Sequence, residues 1–591
     1  MLRILKKLGL ILSKEQKRKI VIIVILMLVG AVLETMSVSL VVPLMTALMQ
    51  ENFMETNELI AFVCNTLNIT EARDFILLVI IALIAVFILK DVFLYFQYYV
   101  QIRFTCNNRV ATQRKLMEIY LNRPYEFFLN SSSGEIMRVI KNDTAGTFNV
   151  LTTVMGFFTE AIVAVALIIA IIIVDPMMAA MVAALLLVVM VIIYTMVKPT
   201  LRKAGQVYQY NNALANMWIL QSIAGVKEMK VADKKEFFIK QYAECSTKAV
   251  ASEKVSNVLT NVPRLIIEAV TISGMLGFIG VMVYGGRDIS TLLPQLTAFG
   301  VAAVRLLPSA NRMSTALNSI TYLEPQVDKT IENLRVSEMY AEEDNKRNSK
   351  KKKENITVTL DKECGLYGIE FSYPNTEKPV LQNADMRIPV GKSVGIIGPS
   401  GAGKTTAVDI LLGLLEPQAG SIEADGTDIN ENYSSWLKHL SYIPQMIYML
   451  DDTIRANVAF GYDKSEIDDE QIWKALEEAQ MAEFVRSLPD GLETEIGEGG
   501  VRLSGGQRQR IGIARALYSD PELLIFDEAT SALDNETESA IMEAVNGLHG
   551  KKTIVIIAHR LTTIKECDII YRVADGKITE VEKDDYIPTE D

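Results

Sequence analysis

Two regimes of hydrophobic patterning divide the 591-residue chain. Up to about residue 340, long apolar runs alternate with polar stretches that keep a helical period. Six of the runs fall at residues 20–45, 74–98, 153–174, 176–198, 262–284 and 290–314, each long enough to cross a bilayer as a helix of roughly 20 residues. The third and fourth are the most purely apolar. The second, fifth and sixth carry more polar positions and are expected to line something besides lipid. Asp175-Pro176 makes a very short turn between the third and fourth spans. The connections 99–152 and 199–261 are polar but still helix-periodic, so the spans are predicted to continue beyond the membrane as helical rods. Each rod is interrupted, at RPYEFFLN (123–130) and around Trp218 to Val226.

After a helical stretch at 320–340, the segment EEDNKRNSKKKKEN (342–355) breaks all periodicity and reads as a solvated linker. From about Ile356 the pattern changes. Short β-rich runs (GIEFSY, SVGIIG, LSYIPQ, LLIFDE, TIVIIAH) alternate with helical segments, which predicts a mostly parallel sheet with helices on both faces. The expected organisation is therefore a helical transmembrane domain of six spans (1–340), a charged linker (341–355) and an α/β domain (356–591).

Composition supports this division. Half the residues are hydrophobic and the mean hydropathy is +0.22. The net charge of −12 argues against a general nucleic-acid binder. The cysteines (Cys64, Cys106, Cys245, Cys364, Cys567) are scattered and odd in number, suggesting neither a zinc site nor a disulfide framework. Residues 1–19 hold Arg3, Lys6, Lys7, Lys14, Lys17, Arg18 and Lys19 against Glu15 alone. By the positive-inside rule the N-terminus stays in the cytoplasm of a multi-pass inner-membrane protein, as does the C-terminus after an even number of spans. The first apolar run reads as a membrane span rather than a cleavable signal. The spacing of Leu2, Leu5, Leu8 and Leu12 suggests a short amphipathic helix on the inner surface.

The strongest chemical signal is GPSGAGKTT at 398–406. Gly398, Gly403, Lys404 and Thr405 satisfy the phosphate-loop spacing, between an apolar strand and a predicted helix starting at Lys404. Glycines let the loop of Gly398, Pro399, Ser400, Gly401, Ala402 and Gly403 curl so that the N–H groups of every residue but Pro399 can point at phosphate. The helix start favours the anion, Lys404 reaches the β/γ-phosphates, and Thr405 offers Mg²⁺ a hydroxyl beside Thr406. LLIFDE ends an apolar strand in two acids. Asp527 is placed to hold Mg²⁺ and Glu528 to polarise an attacking water. A second anion site is expected at LSGGQ, where Ser504, Gly505, Gly506 and Gln507 open another helix.

With LSGGQ and GPSGAGKTT in one domain, the chain resembles the ATP-binding cassette transporters. The resemblance implies a head-to-tail homodimer in which one signature loop closes over ATP on the partner's phosphate loop. It further implies that Tyr373 stacks on adenine, that Gln445 senses Mg²⁺ and contacts the membrane domain, that Asp534 lies in the loop crossing the dimer, and that His559 contacts the γ-phosphate. The membrane half is similar to the type I exporters of the family. Its two interruptions fall where those proteins have coupling helices that dock on the cassettes.

Cargo must be read from charges inside the spans, which are costly. Lys90, Arg264, Arg305 and Arg312 all fall in the inner half of the membrane. They can snorkel to the inner head groups, and Glu34, Glu160 and Glu268 could neutralise some of them. They could instead dock an anionic head group. The stretch FGVAAVRLLPSANRM, with the outer segment after span one, resembles the bacterial flippases of lipid-linked oligosaccharides. That likeness implies a polyprenyl-pyrophosphate glycan met by Arg264, Arg305 and Arg312, with Lys90 less clearly assigned. The apolar positions between Asn57 and Asn68 would hold the lipid tail or cover the cavity mouth. A multidrug or lipid exporter of the same architecture is the alternative, and an ATP-gated channel a more remote one.

Overall fold

The computed structural model describes residues 1–39, 66, 72–174, 176–285, 306–336, 357–374, 376, 378–527, 542–558 and 564–582. The chain divides into two compact units, residues 1–123 with 130–343, and 124–129 with 344–591. The expected linker, the outer segment 57–68 apart from Thr66, Arg305, Glu528, Asp534 and His559 lie outside the described residues.

The first unit is helical. Helix α1 (Leu2–Ile11) is amphipathic, but the face it buries is Ile4 and Leu8, continued by Leu12; Leu2 is 78% exposed and lies off that face. Lys7 ties the helix to Glu324 (2.6 Å) and Asp328 (2.5 Å). Helix α2 (Lys14–Ser39) begins the first expected span. Helix α3 (Ala72–Leu121) is one uninterrupted rod of 50 residues, so the second span does continue well past its apolar part. The short α4 (Tyr125–Leu129) and α5 (Ser133–Arg138) follow, then a π-helical turn (Val139–Asp143) and α6 (Thr144–Val174). The turn is pinned by Arg138 and Gln209, whose side chains donate to the carboxylate of the buried Asp143 (3.2 and 3.1 Å).

Helix α7 (Pro176–Ala224) and, after α8 (Val226–Val231), helix α9 (Lys235–Tyr284) run side by side as the second pair of rods. The second interruption falls at the end of the stretch the sequence pattern gave, with a further break beyond it. Trp218 is still inside α7, where its ring meets Phe237 and Phe238 of α9 edge-on (5.9 and 6.1 Å). The break comes at Gly225, whose backbone is non-helical, and at residues 232–234. A last helix, α10, occupies 306–336. Among the described residues, four stretches are long and apolar enough to span a membrane: Lys14–Ser37, Arg73–Leu121, Ser133–Ile169 and Ala183–Ala224.

The second unit contains two sheets. The six-stranded sheet runs β10-β9-β3-β8-β7-β6, with β3 (Ser393–Ile397), β6 (Leu440–Ile443), β7 (Leu523–Asp527), β8 (Thr553–Ile557) and β9 (Ile569–Ala574) parallel, and β10 (Lys577–Val581) antiparallel at one edge. Strands β3, β7 and β8 are buried at every position, which is why they read as unbroken apolar runs.

The expectation of a mostly parallel core holds for this sheet, but GIEFSY does not belong to it. That run ends β1 (Glu363–Phe371), which lies in a separate antiparallel sheet ordered β2-β1-β4-β5, with β2 (Leu381–Pro389), β4 (Ala419–Ala424) and β5 (Thr427–Asp428). β2 alternates buried and exposed positions (Ala384, Met386 and Ile388 inward), a weaker signal than an apolar run.

Candidate nucleotide edge and membrane cavity

Because β3, β7 and β8 are parallel and in register, their C-terminal ends meet on one edge. Asp527 pairs with Ile557, which pairs in turn with Ile396. The phosphate loop leaves this edge after β3 and Asp527 ends β7. Gln445 follows two residues after β6 on the same edge and is exposed. This is the carboxyl end of a parallel sheet, where such folds bind ligands.

The loop has the geometry its glycines suggested. Gly398 and Gly403 take φ of 149° and 102°. A Cβ at Gly398 would lie 2.2 Å from the carbonyl of Val573, so the turn requires glycine there. Helix α11 (Lys404–Leu411) starts at Lys404 as predicted but is shorter than the apolar pattern implied, because the chain turns at Gly413 (φ 74°). Lys404 is 5% exposed and donates through Nζ to the carbonyls of Gly398 (2.9 Å) and Pro399 (3.1 Å), which holds its ammonium over the loop. Thr405 is exposed at the helix start. Tyr373 packs its ring edge-on against Phe371 (5.1 Å), and its hydroxyl lies 3.1 Å from that of Thr406. An aromatic ring thus stands beside the loop.

The edge also carries groups that motif reading passed over. Tyr442 donates its hydroxyl to Asp527 Oδ2 (3.0 Å), and Asp409 sits on α11 with only 9% exposure. Burial first, and then the charge of Asp527, push the Asp409 carboxyl up to about 6. Tyr125 of α4, which belongs to this unit, lies within electrostatic reach of Asp409 and Tyr373, and burial raises its phenol. The signal for Asp409 was one acid in the apolar run TTAVDILLGLL. Tyr125 carried none, since its closeness is tertiary. Two carboxyls that sense each other, with the Tyr442 hydroxyl on one of them, are oxygen donors of the kind a hard divalent cation takes.

Ser504 caps α12 (Gly505–Tyr518) in a reciprocal box. Its Oγ accepts from the Gln507 backbone N–H (3.2 Å), and its own N–H donates to Gln507 Oε1 (2.8 Å). Gly506 is buried under this helix start while Gly505 is exposed.

In the first unit, an open cavity of about 750 Å³ lies between α6, α9 and α10. Among the described residues its charged lining is Glu160, Arg264, Glu268 and Arg312. Two of the four cations singled out by the sequence thus come together. Lys90 is not among the lining residues: it is 6% exposed, pairs with the adjacent Asp91 (3.1 Å) and lies over the Phe87 ring (4.6 Å). Arg312 is held by Glu160 through two contacts, Nε to Oε1 at 2.5 Å and Nη2 to Oε2 at 3.0 Å. One of the acids considered as a neutralising partner is therefore engaged.

Comparison with known proteins agrees with both units. The family model described as ABC transporter matches residues 381–531, and that described as ABC transporter transmembrane region matches residues 20–299. An ATP-dependent lipid A-core flippase of Desulfotalea psychrophila is 44% identical over 216 residues, 36% of this chain and 37% of that protein. A protein of the same description from Photorhabdus laumondii is 46% identical over 213 residues, 36% of each chain. The ABC multidrug transporter MDR2 of Trichophyton equinum is 41% identical over 214 residues, 36% of this chain and 16% of its own. The matched segment spans little more than a third of the bacterial relatives' length. A solved structure described as a bacterial Atm1-family ABC exporter with ATP bound shares the fold, with a TM-score of 0.76 over 96% of both chains at 22% identity. With its membrane region and its cassette both matched, the chain belongs to the ABC transporter family and has the exporter arrangement, a helical membrane domain followed by the nucleotide-binding domain.

Proposed function

We propose that the protein is an ATP-driven flippase that moves a phosphate-bearing glycolipid from the inner to the outer leaflet of a bacterial inner membrane. ATP binds at the phosphate loop with Tyr373 beside the base. Asp527, Thr405 and Gln445 would hold Mg²⁺, which when bound would supply positive charge against the phosphates. Glu528 polarises water and His559 contacts the γ-phosphate. Ser504 and its neighbours act across a homodimer, with Asp534 at the crossing. Among such lipids we favour a polyprenyl-pyrophosphate-linked oligosaccharide.

The observation that carries the cargo reading is the shared cavity wall of Arg264 and Arg312. Two arginines on different helices facing one cavity offer planar, forked donors to a phosphate. Snorkelling would need no shared wall. The relatives described as lipid A-core flippases support a phosphorylated glycolipid in general. A multidrug exporter remains the second reading, favoured by Glu160, which already cancels Arg312, and by the fungal relative.

The test is transport in proteoliposomes containing the full-length protein. Tail-labelled polyprenyl-pyrophosphate glycan, a lipid A-core preparation and a hydrophobic cation are compared with ATP present. Translocation of the polyprenyl lipid is expected to exceed that of the other two. Preferential movement of lipid A-core would replace the finer assignment and keep the coarser one. Movement of the cation alone would defeat both.

A further inference from the structure

The charge balance of the cavity specifies more than an anion. Of the four charged side chains that line it among the described residues, Arg312 and Glu160 satisfy each other across α10 and α6. Arg264 and Glu268 stand one turn apart on α9, and among the described residues neither makes an ion pair. Their order disfavours mutual pairing, since a cation N-terminal to an acid at this spacing is the weaker arrangement on a helix. Both are exposed to the cavity. Among the described residues the cavity thus presents a neutralised pair and, beside it, one unengaged cation and one unengaged anion about 6 Å apart along the helix.

A head group with phosphate alone complements half of this arrangement. Seated on Arg264, it would leave the Glu268 carboxylate under the bound lipid without a counter-charge, which penalises binding. A head group that also carries an ammonium a few bonds from the phosphate meets both groups at once. We infer that Arg264 and Glu268 form a receptor for an aminated lipid phosphate, with Arg264 on the phosphate and Glu268 on a primary ammonium. This rests on the coarser lipid-phosphate reading and competes with its polyprenyl-pyrophosphate refinement, because it makes the amine a determinant of which phosphorylated lipid is moved.

The probes are tail-labelled phosphatidylethanolamine and its N-acetylated form, which keeps the phosphate and loses the cation. Translocation is measured with the full-length protein in proteoliposomes. The wild type moves the amine-bearing lipid faster by about tenfold, the factor expected of one charge-assisted contact. In Glu268→Gln that ratio falls towards one, because the amine-bearing lipid loses its ammonium contact and slows while the acetylated lipid, no longer stranding a carboxylate, moves at least as fast as before. Glu268→Asp retains the preference, and Arg264→Ala slows both lipids. Equal wild-type rates for the two lipids, or a Glu268→Gln ratio that stays at its wild-type value, overturn the amine receptor and leave the lipid-phosphate reading standing. Equal slowing of both lipids by Glu268→Gln also overturns it, since that is the mark of a structural or inter-subunit ion pair. A wild type that moves neither probe but moves the polyprenyl lipid overturns the amine receptor alone. One that moves no phosphate-bearing lipid overturns both.

Discussion

The nucleotide edge and the membrane cavity both handle phosphate in the readings above, yet they are built in opposite ways. At the edge, the backbone does most of the binding. Glycines at φ 149° and 102° curl the loop, a helix begins behind it, and Lys404 folds over it. In the cavity, recognition rests on a few long side chains from three helices, one of them already committed to a carboxylate. A backbone cradle tolerates little change in sequence and binds one kind of group. A side-chain cavity can alter its charge balance by one substitution, which suits the part of a transporter that differs between cargoes.

The sharpest way to break this comparison is at the water-polarising acid. Glu528→Gln is expected to lower ATP hydrolysis by about 10²–10⁴-fold, the usual contribution of a general base, while nucleotide binding survives. Phosphate release and fluorescent-nucleotide binding measure the two separately. Hydrolysis within a few-fold of wild type would remove Glu528 from its role.

Ser504 separates backbone structure from anion binding. Ser504→Asp keeps a carboxylate able to cap α12, so thermal stability should stay near wild type. The new charge repels phosphate, and hydrolysis should fall by roughly a hundredfold. Ser504→Ala is the complement: it loses a cap worth about 1 kcal/mol but adds no charge. If Ser504→Asp hydrolyses ATP normally, the helix start is a cap only.

On the cavity side, Arg264→Ala combined with Arg312→Ala should cut glycolipid translocation by roughly tenfold or more, with basal ATPase within about twofold of the wild type. Removing Arg312 alone also strands Glu160, so its effect should be partly rescued by Glu160→Gln. Full translocation by the double variant returns both arginines to a snorkelling role.

How far the sequence disclosed these sites follows from the same contrast. The phosphate loop, the β7 acid and the capped signature were legible because each is a local pattern whose spacing is its mechanism. The rods were legible too, since helical periodicity survives where hydropathy drops, as in α3 from Ala72 to Leu121. The antiparallel sheet was not, because β2 alternates and its partner β1 mimics a core run at its end. The second interruption was legible only as a stretch from Trp218 to Val226: the break itself is at Gly225, while the Trp218 ring packs between rods. Charges within the spans were visible, but which of them share a wall was not. Lys90 and Arg264 look alike in sequence, yet only Arg264 lines the cavity.

Asp409 tests whether the nucleotide edge holds a cost when no cation is bound. Its folded-state value of about 6 lies above the 3.8 of an ordinary aspartate, through burial and then through Asp527. Between those values the folded protein keeps a proton that the unfolded chain has released, so stability falls as pH rises through that window. Above about pH 6 the folded state bears the full cost of the charge. Below pH 4 both states are protonated and the cost vanishes. Asn resembles the neutral acid, so Asp409→Asn should be more stable than wild type at pH 8 by on the order of 1 kcal/mol, a figure discounted for solvent screening at this edge. The two proteins should converge towards pH 4. Melting curves of the full-length protein in detergent, without nucleotide or divalent cation, measure the difference. Adding Mg²⁺ and ATP should shrink it, because a cation on Asp527 removes the second cause of the shift. A stability difference that is the same at both ends of the pH range would mean that Asp409 acts through packing, and that the two acids do not sense each other.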